Sequence, residues 1–139
     1  MAKRVVVTGM GVISPIGNDV PTFWNNLVNG VCGIDYIQEF PTENLPVRIA
    51  GKVKDFHPEN YGMDKGFSRK QDLFTQYGVA AAYEAMNQAG LISEGEGQNI
   101  DPFRLGVYVG SGIGGFEIQY RETAKMIEDP SGQWISPLF

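Results

Sequence analysis

Two β-branched runs stand out along the chain. Residues 4–8 (RVVVT) and 105–109 (LGVYV) are continuously apolar or β-branched, as in strands covered on both faces. Each runs into a glycine-rich loop, GMGVISPIGND after the first and GSGIGG after the second. Pro21 at a helix start and Gly30 just past an end frame a short helix over PTFWNNLVNG, with Phe23, Trp24, Leu27 and Val28 on its apolar face. Residues 31–46, which include Pro41 and Pro46, read as irregular. Residues 47–53 (VRIAGKV) alternate apolar and polar positions, predicting a half-exposed strand.

A longer helix is predicted from Ser68 or nearby to Ala89, because Phe74, Tyr77, Ala81, Ala82, Ala85 and Ala89 recur at helical spacing. Gly90 supplies its stop, and the small residues 80–82 permit close packing. Residues 92–102 are polar and read as a surface loop. A helix is predicted over 116–128, then a turn over 129–132 and the apolar ending WISPLF. Strand, helix, strand and helix in alternation predict an α/β chain with parallel strands joined by crossovers. Two or three strands make a thin sheet, and the apolar ending carries no polar tail, so the fold reads as interrupted.

Composition narrows the function. An apolar content of 42% with 18 glycines fits a packed core with tight turns, in one ordinary domain or a piece of a larger one. No apolar run approaches the roughly 20 residues of a membrane helix, and MAKRVVVTG lacks a cleavable leader pattern. One cysteine and one histidine build neither an internal disulfide nor a zinc site, so the expected setting is the reducing cytoplasm, with no metal and no cofactor. The net charge of −5 comes without a basic stripe and argues against nucleic acid. Its distribution is uneven. Between residues 48 and 70, Arg48, Lys52, Lys54, Lys65, Arg69 and Lys70 outnumber Asp55, Glu59 and Asp64. Such an island is either a solvated face or a landing point for an acidic partner.

The candidate chemistry is sparse. The glycines from Gly110 to Gly115 (GSGIGG) match a dinucleotide fingerprint between a predicted strand and helix. The acid required about 20 residues on would be Glu128 or Asp129, which fall at a helix end rather than a strand tip. The other readings are a tight turn, or a loop that lets something thin and apolar approach Ile113. The first glycine loop lacks the lysine of a phosphate-binding loop and reads as a connection. Cys32 in NGVCGI reads as a small buried thiol with no base beside it in sequence, and His57 as a surface or capping residue. Taken alone, these residues assemble no nucleophile–base set.

Several segments taken in order resemble the N-terminal part of the β-ketoacyl-acyl-carrier-protein synthase II family, the condensing enzymes of bacterial fatty-acid synthesis. They are RVVVTGMGVISPIGN, FWNNLVNGVCGI, AGKVKDF, RKQDLFTQYGVAAAYEAMNQAG, GVYVGSGIGGFE and WISPLF, and together they span the 139 residues. The resemblance implies a thiolase-like layered α/β/α/β/α fold, with only its N-terminal portion present in residues 1–139, and a homodimeric parent enzyme. It implies acyl and malonyl thioesters of acyl carrier protein as substrates, joined with loss of CO2, in a soluble enzyme that meets no membrane. The family's catalytic cysteine, two histidines and lysine all come after the point matching Phe139. Cys32 matches a position usually held by a small residue and inherits no catalytic role. Ile113 matches the residue that gates the acyl pocket, and Phe139 an aromatic that reaches the partner's pocket. Lys65, Arg69 and Lys70 match the patch that receives the carrier. Synthase I, polyketide ketosynthases and a dinucleotide-binding module using Gly110 to Gly115 stay open as alternatives.

Overall fold

A computed structural model of the protein describes residues 3–92 and 101–132. Helix α1, Val20–Val28, starts where Pro21 predicts. Asp19 caps it by accepting from the Thr22 amide at 2.7 Å and the Thr22 hydroxyl at 2.8 Å, and Gly30 turns the chain away at φ 68°. Strands β1, Ile34–Tyr36, and β2, Ile49–Gly51, form an antiparallel pair with Asp35 opposite Ala50. Helix α2 is the single turn Lys65–Ser68; α3, Leu73–Gln88, is the longest element; α4 is Phe116–Glu128. Short 3-10 turns lie at Pro58–Tyr61 and Pro102–Arg104.

The organising contact runs between the first glycine loop and α3. A Cβ on Gly9 would fall inside contact distance of the Ala85 carbonyl oxygen and 2.9 Å from its carbon. A Cβ on Gly11 would meet the Ala81 carbonyl group in the same way, 2.8 Å from its carbon. Both positions need glycine because backbone lies against backbone there. Polar side chains of α3 complete the seam. The two Glu84 oxygens accept from the amides of Val12 at 3.0 Å and Val20 at 2.7 Å, and Gln88 accepts from the Met10 amide. One helix thus satisfies three main-chain donors, two in the loop and one at the start of α1, that have no backbone partner among the described residues.

On its other flank α3 packs against the 3-10 turn that begins at Pro58. Phe56 meets Tyr77 edge-on at 4.8 Å and stacks on Tyr61 at 5.7 Å, while Tyr61 meets Tyr83 edge-on. The Tyr61 hydroxyl donates to the Asn18 carbonyl at 2.7 Å, tying this aromatic group back to the loop. Burial, and next the negative charges of Asp19 and Glu84, hold the Tyr61 pKa above its ordinary value. Met63 and Ala80 are the buried apolar side chains among the described residues.

Several sequence expectations change. Residues 4–8 and 105–109 form no strands, and Val5 (94%), Val7 (80%), Val107 (85%) and Val109 (83%) are exposed. A parallel strand needs edge partners and cover on both faces. Neither run has a backbone partner among the described residues, so the predicted parallel pairing gives way to the one antiparallel pair. β1 arises inside a stretch read as irregular, with Lys52–Glu39 and Lys54–Asp35 ion pairs across the two strands' flanks. The helix expected from about Ser68 begins instead at Leu73, after the separate single turn of α2, and the apolar face of α1 stays open, with no buried residue. Most of the loop expected over 92–102, together with WISPLF, lies outside the described residues.

The glycine seam generates a paired prediction for a folded protein containing this chain. Gly11→Ala should destabilise by about 1–3 kcal/mol, the scale of overpacking a tight contact. Gly78→Ala should stabilise by about 0.5–1 kcal/mol, because Gly78 sits inside α3 with nothing within 4 Å of a new Cβ. Urea midpoints of the two variants should move in opposite directions.

Candidate functional site: a basic turn and a glycine loop joined at one carboxylate

Asp64 nucleates the basic turn by accepting from the Phe67 amide at 2.7 Å, which caps α2. Lys65 and Arg69 follow at i and i+4, with Lys70 next, and all three are exposed. None of them forms an ion pair among the described residues, so their charge is available to a partner. Gln76 of α3 fastens the turn from beneath. Its side chain is buried, and its Nε2 donates to the carbonyls of Ser68 and Gln71, both at 2.9 Å.

The second feature is the GSGIGG loop, which leads directly into α4. Ile113 stands 84% exposed at its crest. A Cβ on Gly112 would meet nothing within 4 Å, and Gly114 adopts φ 85°. The loop therefore presents one branched apolar side chain with free space at Gly112 and the Phe74 ring 3.9 Å from a Cβ at Gly114. Gly115 occupies the N-cap position of α4 and has no side chain to cap it.

Asp72 joins these two features. It holds the N-cap position of α3, yet makes no side-chain cap there. Its carboxylate turns to α4 instead, where Oδ2 accepts from the Ile118 amide at 3.3 Å. A Cβ on Gly115 would lie 2.7 Å from the same oxygen, so this close approach requires glycine. Two clefts flank the contact. One, about 430 Å³, is lined by Phe74, Thr75 and Gly115; the other, about 320 Å³, by Arg69, Gln76 and Arg121. Gln71, Asp72 and Ile118 line both.

This arrangement disfavours a dinucleotide. A pyrophosphate would need the positive N-terminal end of α4, where the Asp72 carboxylate already sits. Cys32 is exposed rather than buried, because the chain leaving α1 runs over the surface; its thiol approaches the Ile34 carbonyl at 3.8 Å. His57 is exposed at the N-cap position of a 3-10 turn and lies 3.6 Å from Glu59. Phe139 lies outside the described residues. Sequence reasoning missed Asp72, Gln76 and Glu84. The N-cap rule applied to QDLF would have found Asp72 and the start of α3.

Comparison with known proteins identifies the lineage of these features. Residues 2–139 match the profile of the β-ketoacyl synthase N-terminal domain. The chain belongs to this family. The synthase domain is 46% identical over 138 residues to 3-oxoacyl-[acyl-carrier-protein] synthase 2 of Staphylococcus aureus strain COL, a match covering 99% of this chain and 32% of the relative. It is 44% identical over 137 residues to the synthase 2 of Vibrio cholerae, with the same coverage. The chain thus spans about a third of the length of these curated relatives. Among solved structures, the ishigamide ketosynthase/chain length factor is similar at a TM-score of 0.70 and 28% identity, over 95% of this chain and 32% of that one. No helix among the described residues is long and apolar enough to cross a membrane.

An exposed thiol with no basic side chain hydrogen-bonded to it among the described residues should be dispensable. Cys32→Ser should change stability by no more than about 0.5 kcal/mol, the usual range for surface substitutions. Thermal unfolding of the variant beside the parent measures this.

Proposed function

We propose that the chain is the N-terminal third of a 3-oxoacyl-acyl-carrier-protein synthase of the synthase II type, acting in fatty-acid elongation. The supporting observation is the 46% identity across nearly the whole chain to a protein of that name, three times as long. In this reading the fold completes as a layered thiolase-like α/β/α/β/α structure in a cytoplasmic homodimer. The valine-rich residues 4–8 and 105–109 then become inner strands once their neighbours are supplied.

The reaction is a decarboxylative Claisen condensation. A cysteine thiolate beyond residue 139 attacks the thioester of an acyl carrier, forming an acyl-enzyme and releasing the carrier thiol. Malonyl-carrier then loses CO2. The electron pair left on its α-carbon attacks the acyl thioester, expelling the cysteine thiolate and giving 3-oxoacyl-carrier. The present chain supplies recognition rather than the nucleophile. Lys65, Arg69 and Lys70 receive the acidic carrier, whose approach is quickened by charge. Ile113 gates the acyl pocket, and Phe139 lines the pocket of the partner subunit.

Two measurements on the complete synthase test this. Reversing Arg69 and Lys70 to glutamate should raise KM for acyl-carrier while sparing a small acyl-pantetheine, and the defect should depend on salt. Single exposed charge pairs contribute only about 0–1 kcal/mol, so the double reversal is the informative variant. Equal losses on both substrates would instead assign the patch to folding. Separately, Ile113→Phe should lower kcat/KM for long acyl primers by about tenfold and leave short ones nearly unchanged, as overfilling a pocket costs about 1–3 kcal/mol. An unchanged chain-length profile would remove Ile113 from the gate.

A further inference from the structure

We infer that Asp72 is a positioning residue that holds the GSGIGG loop in register with the basic docking turn. The inference rests on the carrier and gate roles proposed above.

The geometry favours this role over ordinary helix capping. Asp72 is 7% exposed, and its position at the start of α3 would let its carboxylate cap that helix. The carboxylate accepts from the Ile118 amide of α4 instead. The recipient helix needs the help, because its own N-cap residue is Gly115. A negative group at that end also meets the positive end of the helix dipole. Gly115 is thereby explained: a Cβ there would press on the carboxylate that orients the helix.

The contact is also placed to couple two surfaces. Upstream of Asp72 the backbone passes through Lys70 and Arg69, and Gln76 pins the carbonyls of Ser68 and Gln71 from inside α3. Downstream of Gly115 the chain is α4, and just upstream of it stands Ile113. Four positions, 71, 72, 76 and 118, therefore connect the exposed cations to the exposed isoleucine through buried or half-buried atoms. Movement of the basic turn on carrier docking would be transmitted toward the loop through the Ile118–Asp72 hydrogen bond.

The experiment uses the complete synthase with Asp72→Ala, Asp72→Asn and Ile113→Phe. Asparagine keeps a side-chain acceptor of the same reach; alanine does not. Two quantities are read: hydrogen exchange of the segment 110–118 relative to α3, and the ratio of kcat/KM for long and short acyl-carrier primers. Asp72→Ala should speed exchange in 110–118 but not in α3. It should shift the long-to-short ratio by about fivefold, the scale of one lost cap. Asp72→Asn should restore both. Unchanged exchange in 110–118, or losses equal for all primers, overturns the inference. Ile113→Phe separates the two levels: if it leaves the ratio unchanged, the gate reading falls, and the exchange result alone decides whether Asp72 positions the loop.

Discussion

Backbone laid against backbone is the constraint on which this molecule depends. Where Gly9 and Gly11 meet Ala85 and Ala81, there is no room for a single additional carbon on the loop. That closeness lets Glu84 and Gln88 reach main-chain amides of the loop, and brings Asn18 to the Tyr61 hydroxyl. Little apolar surface is buried among the described residues, so polar and aromatic contacts along α3 carry much of its organisation.

The basic turn and the glycine loop proposed for recognition sit at the opposite end of α3. Its first turns carry Asp72 and Gln76, and these two buried polar side chains face neighbouring elements rather than their own helix. Buried polar groups are costly unless satisfied, and a satisfied one fixes geometry through its directional bonds. If the short turn and the glycine loop form the proposed recognition surface, these bonds are what fix their relative placement. Lys65, Arg69 and Lys70 can then stay unpaired and solvated, with their placement set from below.

How much of this was legible in the sequence depended on the range of the interaction. Helix α4 was readable to the residue and α1 nearly so, because caps, stops and spacing are local. The start of α3 was missed because RKQD looks like a polar first turn, whereas it links the end of α2 to Asp72, the N-cap of α3. Strand β1 is too short to show a period. Residues 4–8 and 105–109 read as buried because β-branched runs normally are; their burial depends on partners that the described residues do not supply. Within the site, charge made Lys65, Arg69 and Lys70 visible, and family resemblance gave them and Ile113 roles. The connection through Asp72 was invisible, since it pairs a side chain with an amide 46 positions away.

The double acceptance by Glu84 depends on both the charge and the length of its side chain. Its two oxygens face two backbone donors, Val12 and Val20, from opposite flanks of the loop. Glutamine would turn one acceptor into a donor and set an N–H against an N–H. Aspartate keeps both oxygens but falls one methylene short of them. Neither the isosteric nor the isoelectric neighbour reproduces the pair of bonds, so the carboxylate and its length are required together.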